Sequence, residues 1–296
     1  MKYTLHENRL NIVIDQPTEL NKLADKLCLS RKTKYLLVSG KKLLLNGEPV
    51  RTLEMPLKEN DTVTFISEPQ PIDYAPADKP CSVIYEDDLV FVASKPAGII
   101  VHDQQNSLAN QAARYLIDHD LHCPVRYIHR LDRETSGLIL FSKFPLLQAY
   151  YDQQLAERKI TRKYLAIAKG NLPVGRKMTF NDPIGADRHQ NNVFRVSKTG
   201  QKAVTEVTVL NSFDGLVLLE CRLLTGRTHQ IRVHLSHHNL PIVNDAVYGV
   251  PDTRLKNMGL WAYRLSFTDP ITGKKITVRD RMNPDFKPYM KKSSHF

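Results

Sequence analysis

His129-Arg130-Leu131-Asp132-Arg133-Glu134-Thr135-Ser136-Gly137 leads directly into the apolar run Leu138-Ile139-Leu140-Phe141. The run reads as a buried strand, and the nine residues before it read as the loop at its lip. Asp132 stands there among two arginines, two hydroxyls and a glycine. A carboxylate on a rigid strand in a cationic setting is how a protein presents an anion that must keep its charge and its position. The competing reading is a solvated loop of alternating charges.

The rest of the chain narrows the partners. At 296 residues it is long enough for roughly two domains, and 42% hydrophobic with 25% charged residues is a globular composition. Lysine and arginine number 42 against 31 acidic residues, a net charge of +11. Such an excess concentrates polyanions, which makes nucleic acid the leading partner. No apolar stretch approaches the ~20 residues of a membrane-spanning helix, and no lipidation motif occurs. Met1 to Asp15 alternates charged and apolar residues, unlike a secretory signal, so a cytoplasmic location is expected. Cys28, Cys81, Cys123 and Cys221 form no Cys-x-x-Cys pair and read as small buried hydrophobes.

Residues 1–67 read as a small α+β unit. Leu20, Leu23, Ala24 and Leu27 have helical spacing. Ser30 caps a second helix bearing Arg31, Lys32 and Lys34, with Tyr35 and Leu36 as its apolar anchors. Asn46-Gly47 marks a hairpin, and Asp61 to Ile66 a further strand. Residues 68–80 are proline-rich and predict an extended linker. The larger unit spans 81–290. It opens with a strand over 89–93 and a helix capped by Ser107. Beyond the loop come a helix opened by Pro145, a strand over 164–168 and a hairpin of 204–210 with 216–223. Thr228 is expected to cap a helix with Ile231, His234 and Leu235 inward, and 264–267 pairs with 275–278. The tail from Met290 to Phe296 is expected to fray.

The loop resembles the signature of the RluA-type pseudouridine synthases: His-Arg-Leu-Asp, two variable residues, then Thr-Ser-Gly. Three further stretches resemble the same family in order. They are Lys95-Pro96-Ala97-Gly98 with Val101-His102, Arg162 to Ala166, and Thr225 to His234. Two positions depart from its pattern: Ser94 replaces the usual asparagine, and Asn244-Asp245 replaces Gly-Asp, a change expected to affect only a turn. Residues 1–67 resemble, more loosely, the alpha-L RNA-binding module, as in RluD-like members.

The resemblance implies an α+β enzyme. Its catalytic domain would have a mixed, largely antiparallel sheet flanked by helices around a central cleft. It implies uridine-to-pseudouridine isomerisation in structured RNA, with large-subunit ribosomal RNA ahead of transfer RNA; the rival reading is a non-catalytic RNA-binding or ribosome-assembly factor that retains the cleft. The protein would be a monomer that needs neither cofactor nor metal. Asp132 would be catalytic, attacking the sugar or the ring or assisting loss of the 2′ proton. Tyr164 would face the uracil, and Arg227 would pair with Asp132. Lys95, His102, His129, Arg130, Thr135, His229, Gln230 and Arg232 would meet RNA at the cleft, with His102 and His129 shaping its loops by hydrogen bonds. Arg31, Lys32 and Lys34 would do so in the small module. His229, His234, His237 and His238 lack the spacing of a zincin helix, and His234 reads as a core histidine.

Overall fold

The structure, a computed structural model, describes residues 1–290, so the tail expected to fray lies outside the described residues but for Met290. In the first 67 residues a hairpin, Lys2–His6 with Arg9–Val13, was not anticipated beyond its alternating pattern. It pairs through Arg9–Val13 with Thr62–Ile66, which also pairs with Leu43–Leu45, which in turn pairs with Glu48–Pro49. Asn46 and Gly47 take φ of 50° and 88°, the double left-handed turn that joins two tightly connected strands. Helix Leu20–Lys26 buries Leu20, Leu23 and Ala24. Helix Arg31–Ser39 starts at Ser30, whose hydroxyl accepts from the Thr33 amide at 3.1 Å.

One expectation for that second helix fails. Tyr35 and Leu36 are 70% and 52% exposed, and Leu37 takes the buried position. Each helical residue turns about 100°, so a seat shifted by one residue exchanges anchor for surface.

The large sheet is mixed and largely antiparallel. Its main path runs Lys177–Phe180, Thr205–Phe213, Leu216–Leu223, Thr161–Lys169, Leu260–Thr268, Ser136–Ser142, Val90–Lys95 and Ser82–Glu86. Arg126–Tyr127 and Lys275–Arg279 add to it from the side. The parallel contact joins Ser136–Ser142 to Leu260–Thr268 over Ser136 with Trp261 and Gly137 with Ala262. Gly137 has φ of 122°, and a Cβ there would lie 2.4 Å from the Ala262 carbonyl oxygen. The glycine ending the signature is therefore what lets these two strands meet.

One face of this sheet buries Phe91, Ile139, Phe141, Tyr164, Ala166 and Leu219 with the inner side of helix Leu108–Asp118 and part of helix Gln230–His237. Ser107 caps the first of these helices in a capping box with Asn110. Elsewhere Val90, Leu138, Leu140, Leu265 and Phe267 share a core with Leu10, Leu20, Leu37 and Phe65 of the small unit. The Tyr3 hydroxyl donates to Asp269 at 2.9 Å, and Lys26 donates to the Ile271 carbonyl at 2.8 Å. Residues 68–80 contain no helix or strand but are strapped down. Asp73 accepts from the Val125 amide at 2.9 Å, and the Ala75 carbonyl accepts from Asn110 at 2.7 Å.

Candidate active site

The loop carrying Asp132 is braced from beneath. Lys95 is fully buried and donates to three carbonyls, Pro96, Ile99 and Arg133, at 2.8 to 2.9 Å. Burial pushes its ammonium down to about 8. Lys95 is therefore not the RNA ligand expected of it; it fastens the Lys-Pro-Ala-Gly turn to the Asp132 loop. The Gly98 amide adds a bond to the same Arg133 carbonyl at 3.0 Å.

Asp132 accepts from Arg232 Nη1 at 3.1 Å. Arg232 in turn gives its Nε and Nη2 to Asp245 at 2.7 and 2.8 Å. This fork-on-carboxylate contact fixes the plane of the guanidinium and aims the remaining nitrogen at Asp132. Asp245 also accepts from the amides of Val247 and Tyr248. Burial opposes its ionisation, but the Arg232 bonds and charge outweigh that and hold it below the usual carboxylate range. The Tyr248 ring lies 5.0 Å from the Arg232 guanidinium carbon.

The expected partner of Asp132 thus needs correcting. Arg227 is exposed and donates to the Lys202 carbonyl at 3.1 Å and to Gln201 at 2.6 Å. The helix starts at Gln230, one residue later than a Thr228 cap requires, and no side chain caps it. Its N-cap is His229, in the left-handed conformation at φ 56°. A cation near a helix start that finds a carboxylate is present, but it is Arg232. Arg232 is buried and engaged with two carboxylates, so a phosphate contact is not its position either.

Gln230 is buried as well. It accepts from the Thr225 hydroxyl and the Arg227 amide, and donates to the Val204 carbonyl and the Thr205 hydroxyl. It holds the Thr-Gly-Arg turn and offers no free edge to RNA. His129 and Thr135 are buried in the cavity wall, and among the described residues neither ring nitrogen of His129 nor the Thr135 hydroxyl has a hydrogen-bond partner of good geometry. Burial, with nearby Arg162, pushes the His129 pKa down to about 3, so its imidazole is neutral.

Other expected residues do stand at the opening. His102 stacks on Tyr127 with ring centroids 5.0 Å apart, and its Nε2 lies 3.2 Å from Arg130. The His229 Nδ1 lies 2.9 Å from the Tyr248 hydroxyl, and its Nε2 lies 3.9 Å from Asp132. Burial lowers the His229 pKa, against the pull of Asp132.

Asp132, Tyr164, Arg162, Arg227, His229 and Arg232 line one cavity of about 740 Å³. That volume falls in the ~300–1,000 Å³ range of ligand clefts. Two of its controlling residues escaped sequence reading. Arg162 shares a sheet face with Tyr164 by alternation, and its buried Nε has no partner. A Cβ at Gly226 would lie 3.2 Å from its guanidinium, so the glycine of Thr-Gly-Arg makes room for it. Asp245 was read as part of a turn, although it orients the arginine on Asp132. Its neighbour Asn244 takes φ of 58°, which explains glycine as the usual residue there, and its amide donates to the Asp252 and Leu255 carbonyls.

In the small unit Arg31 and Lys32 are exposed, but Lys34 donates to Asn21 at 2.8 Å and pairs with Asp25. Lys34 therefore serves helix-to-helix packing rather than RNA. His234 is satisfied in the core by Thr205 and the Asp182 carbonyl, each at 2.9 Å. Among the described residues, Asp182, His237 and His238 bring possible ligand atoms within 4.8 Å of one another, away from the cavity lining. No helix of the described residues is long and apolar enough to cross a membrane.

The sequence profile of the RNA pseudouridylate synthase family matches residues 89–237, half of the chain. The chain belongs to this family. The synthase is 37% identical over 257 residues to a Bacillus subtilis protein named "Uncharacterized RNA pseudouridine synthase YhcT", covering 84% of each. It is 38% identical over 254 residues to "Ribosomal large subunit pseudouridine synthase D" of Neisseria meningitidis, covering 79% of this chain and 64% of that one. The solved structure of "Human RNA Pseudouridylate Synthase Domain Containing 1" shares the fold, with a TM-score of 0.59 at 22% identity over 71% of this chain and 86% of that one. The synthase is thus an isomerase acting on RNA.

Proposed function

We propose that this enzyme converts a uridine of large-subunit ribosomal RNA to pseudouridine, with Asp132 as the catalytic group. The observation that carries this reading is the Asp132 carboxylate, held by Arg232 in the same cavity as Tyr164. Relatives named for the ribosomal large subunit in Neisseria, at 38% identity, support the choice of RNA.

The reaction breaks the bond between uracil and ribose and remakes it through a ring carbon. Neither oxidation state nor atom count changes, so the protein's own groups suffice. The target nucleotide leaves its stack at a cost of a few kcal/mol, least in a loop. It enters the cavity beside Asp132, and Tyr164 gives the uracil a face to rest on. Arg162 and Arg130 provide positive charge for the flanking phosphates. Arg232 stays on Asp245 and keeps Asp132 in place while Asp132 acts on the sugar, on the ring or in loss of the 2′ proton.

Asp132→Asn tests the reading directly. Deproteinised large-subunit RNA is incubated with each protein and its pseudouridines are mapped. The variant is expected to lose conversion by at least a thousandfold and to retain RNA affinity within about threefold, since the charge lost is negative. Conversion at the wild-type rate would remove Asp132 from the chemistry. Conversion of transfer RNA in place of ribosomal RNA would overturn the choice of substrate.

A further inference from the structure

The sheet face opposite Tyr164 carries an unusual pattern. Residues directly opposite on paired strands share a face. Lys163 is opposite Arg222 on one side and Arg264 on the other, and Arg264 is opposite Arg279. Four cations therefore form one row across four adjacent strands. Two are answered: Lys163 by Glu220 at 2.7 Å, and Arg222 by Glu206 at 3.1 Å. Neither the Arg264 nor the Arg279 guanidinium has a hydrogen-bond or ion-pair partner among the described residues. Like charges placed directly opposite destabilise a sheet. The fold tolerates this arrangement with fewer counter-charges than cations.

The row borders a second concavity, of about 530 Å³. Lys177 and Lys275 lie on its lining with Lys163, Arg222 and Arg264, so five cations face two carboxylates. Four hydroxyls, those of Thr161, Thr179, Thr208 and Ser266, lie among them. No aromatic ring lines it, so it offers nothing for a base to stack on. Cations and hydroxyls without stacking surface are the chemistry of phosphate-backbone contact.

We propose that this reverse face is a second docking surface for the RNA substrate, gripping the phosphates of a limb that lies outside the catalytic cleft. The inference rests on the reading of the chain as an enzyme of structured RNA. It adds that recognition extends around the sheet, away from the modified uridine.

The test uses the full chain with Arg264→Gln and Arg279→Gln combined. Binding of deproteinised large-subunit RNA is measured across a salt series. Each phosphate contact contributes about 0.7–0.9 to the slope of log affinity against log salt, so the slope is expected to fall by about 1 to 2. The thermal midpoint is expected to hold or rise, because the opposed charges are gone. Lys275→Glu, at an exposed position, is a second variant with the same expected direction should the first fold poorly. Unchanged slope and affinity in RNA that the wild type binds and converts would overturn this surface alone. If the wild type neither binds nor converts that RNA, the functional reading falls and takes this surface with it.

Discussion

At the scale of single residues, the site is a relay of charge: Asp245 to Arg232 to Asp132. The Asp245 side chain is wholly buried, and Arg232 is nearly so. Removing one member of a buried pair costs about 3–5 kcal/mol, because the other charge is left without compensation. Asp245→Asn is thus expected to cost about 3 kcal/mol in urea unfolding and to slow conversion, with the carboxylate of Asp132 still in place. Wild-type stability and rate together would show that Asp245 has no orienting part. The placement of Asp132 at the cavity was legible from its neighbours in sequence. Its partner was not, because Arg227 and Arg232 both lie near the helix start, and sequence alone does not tell which of them turns toward the loop. Lys95 and Gln230 misled for a related reason: a polar side chain in a functional motif reads the same whether it faces substrate or braces a loop.

Among the elements, the meeting of Ser136–Ser142 with Leu260–Thr268 depends on one missing side chain. A methyl group at Gly137 would meet the Ala262 backbone at 2.4 Å, at a φ that L-residues rarely adopt. Strain and overpacking each cost about 1–3 kcal/mol, so Gly137→Ala is expected to lose roughly 2–6 kcal/mol. Gly175→Ala is the control, with φ of 85° and open space around it, and is expected to lose about 1–2 kcal/mol. Equal melting temperatures for the two variants would refute the close approach. Long apolar strands such as Leu216–Leu223 were readable from sequence because both of their faces are buried. The short strands Ile184–Ala186 and Phe194–Val196 were not, because their pairing is local and their residues are mostly exposed or half-buried.

Across the whole molecule, the small unit is not a free appendage. Its Leu10, Leu20 and Phe65 share a core with Leu138, Leu265 and Phe267 of the large sheet. Deleting residues 1–67 would uncover that core, so loss of RNA affinity after truncation would not separate contact from collapse. Arg31→Gln with Lys32→Gln, both on the surface, makes the cleaner test. This pair is expected to lower RNA affinity several-fold and the salt slope by about 1 to 2, with unchanged melting temperature. Retained affinity and slope would remove the helix from RNA recognition. The sequence showed two units and a proline-rich stretch between them; it could not show that the stretch is pinned by Asp73 and Asn110, because those bonds join segments distant in the chain. Backbone pairing between the two portions of the large sheet passes through Ser136–Trp261 and Gly137–Ala262. Asp132 belongs to one portion, and Tyr164 and Arg232 to the other. The ion pair between Asp132 and Arg232 therefore bridges a seam held by two residue pairs, so a twist of one jaw against the other would change its length.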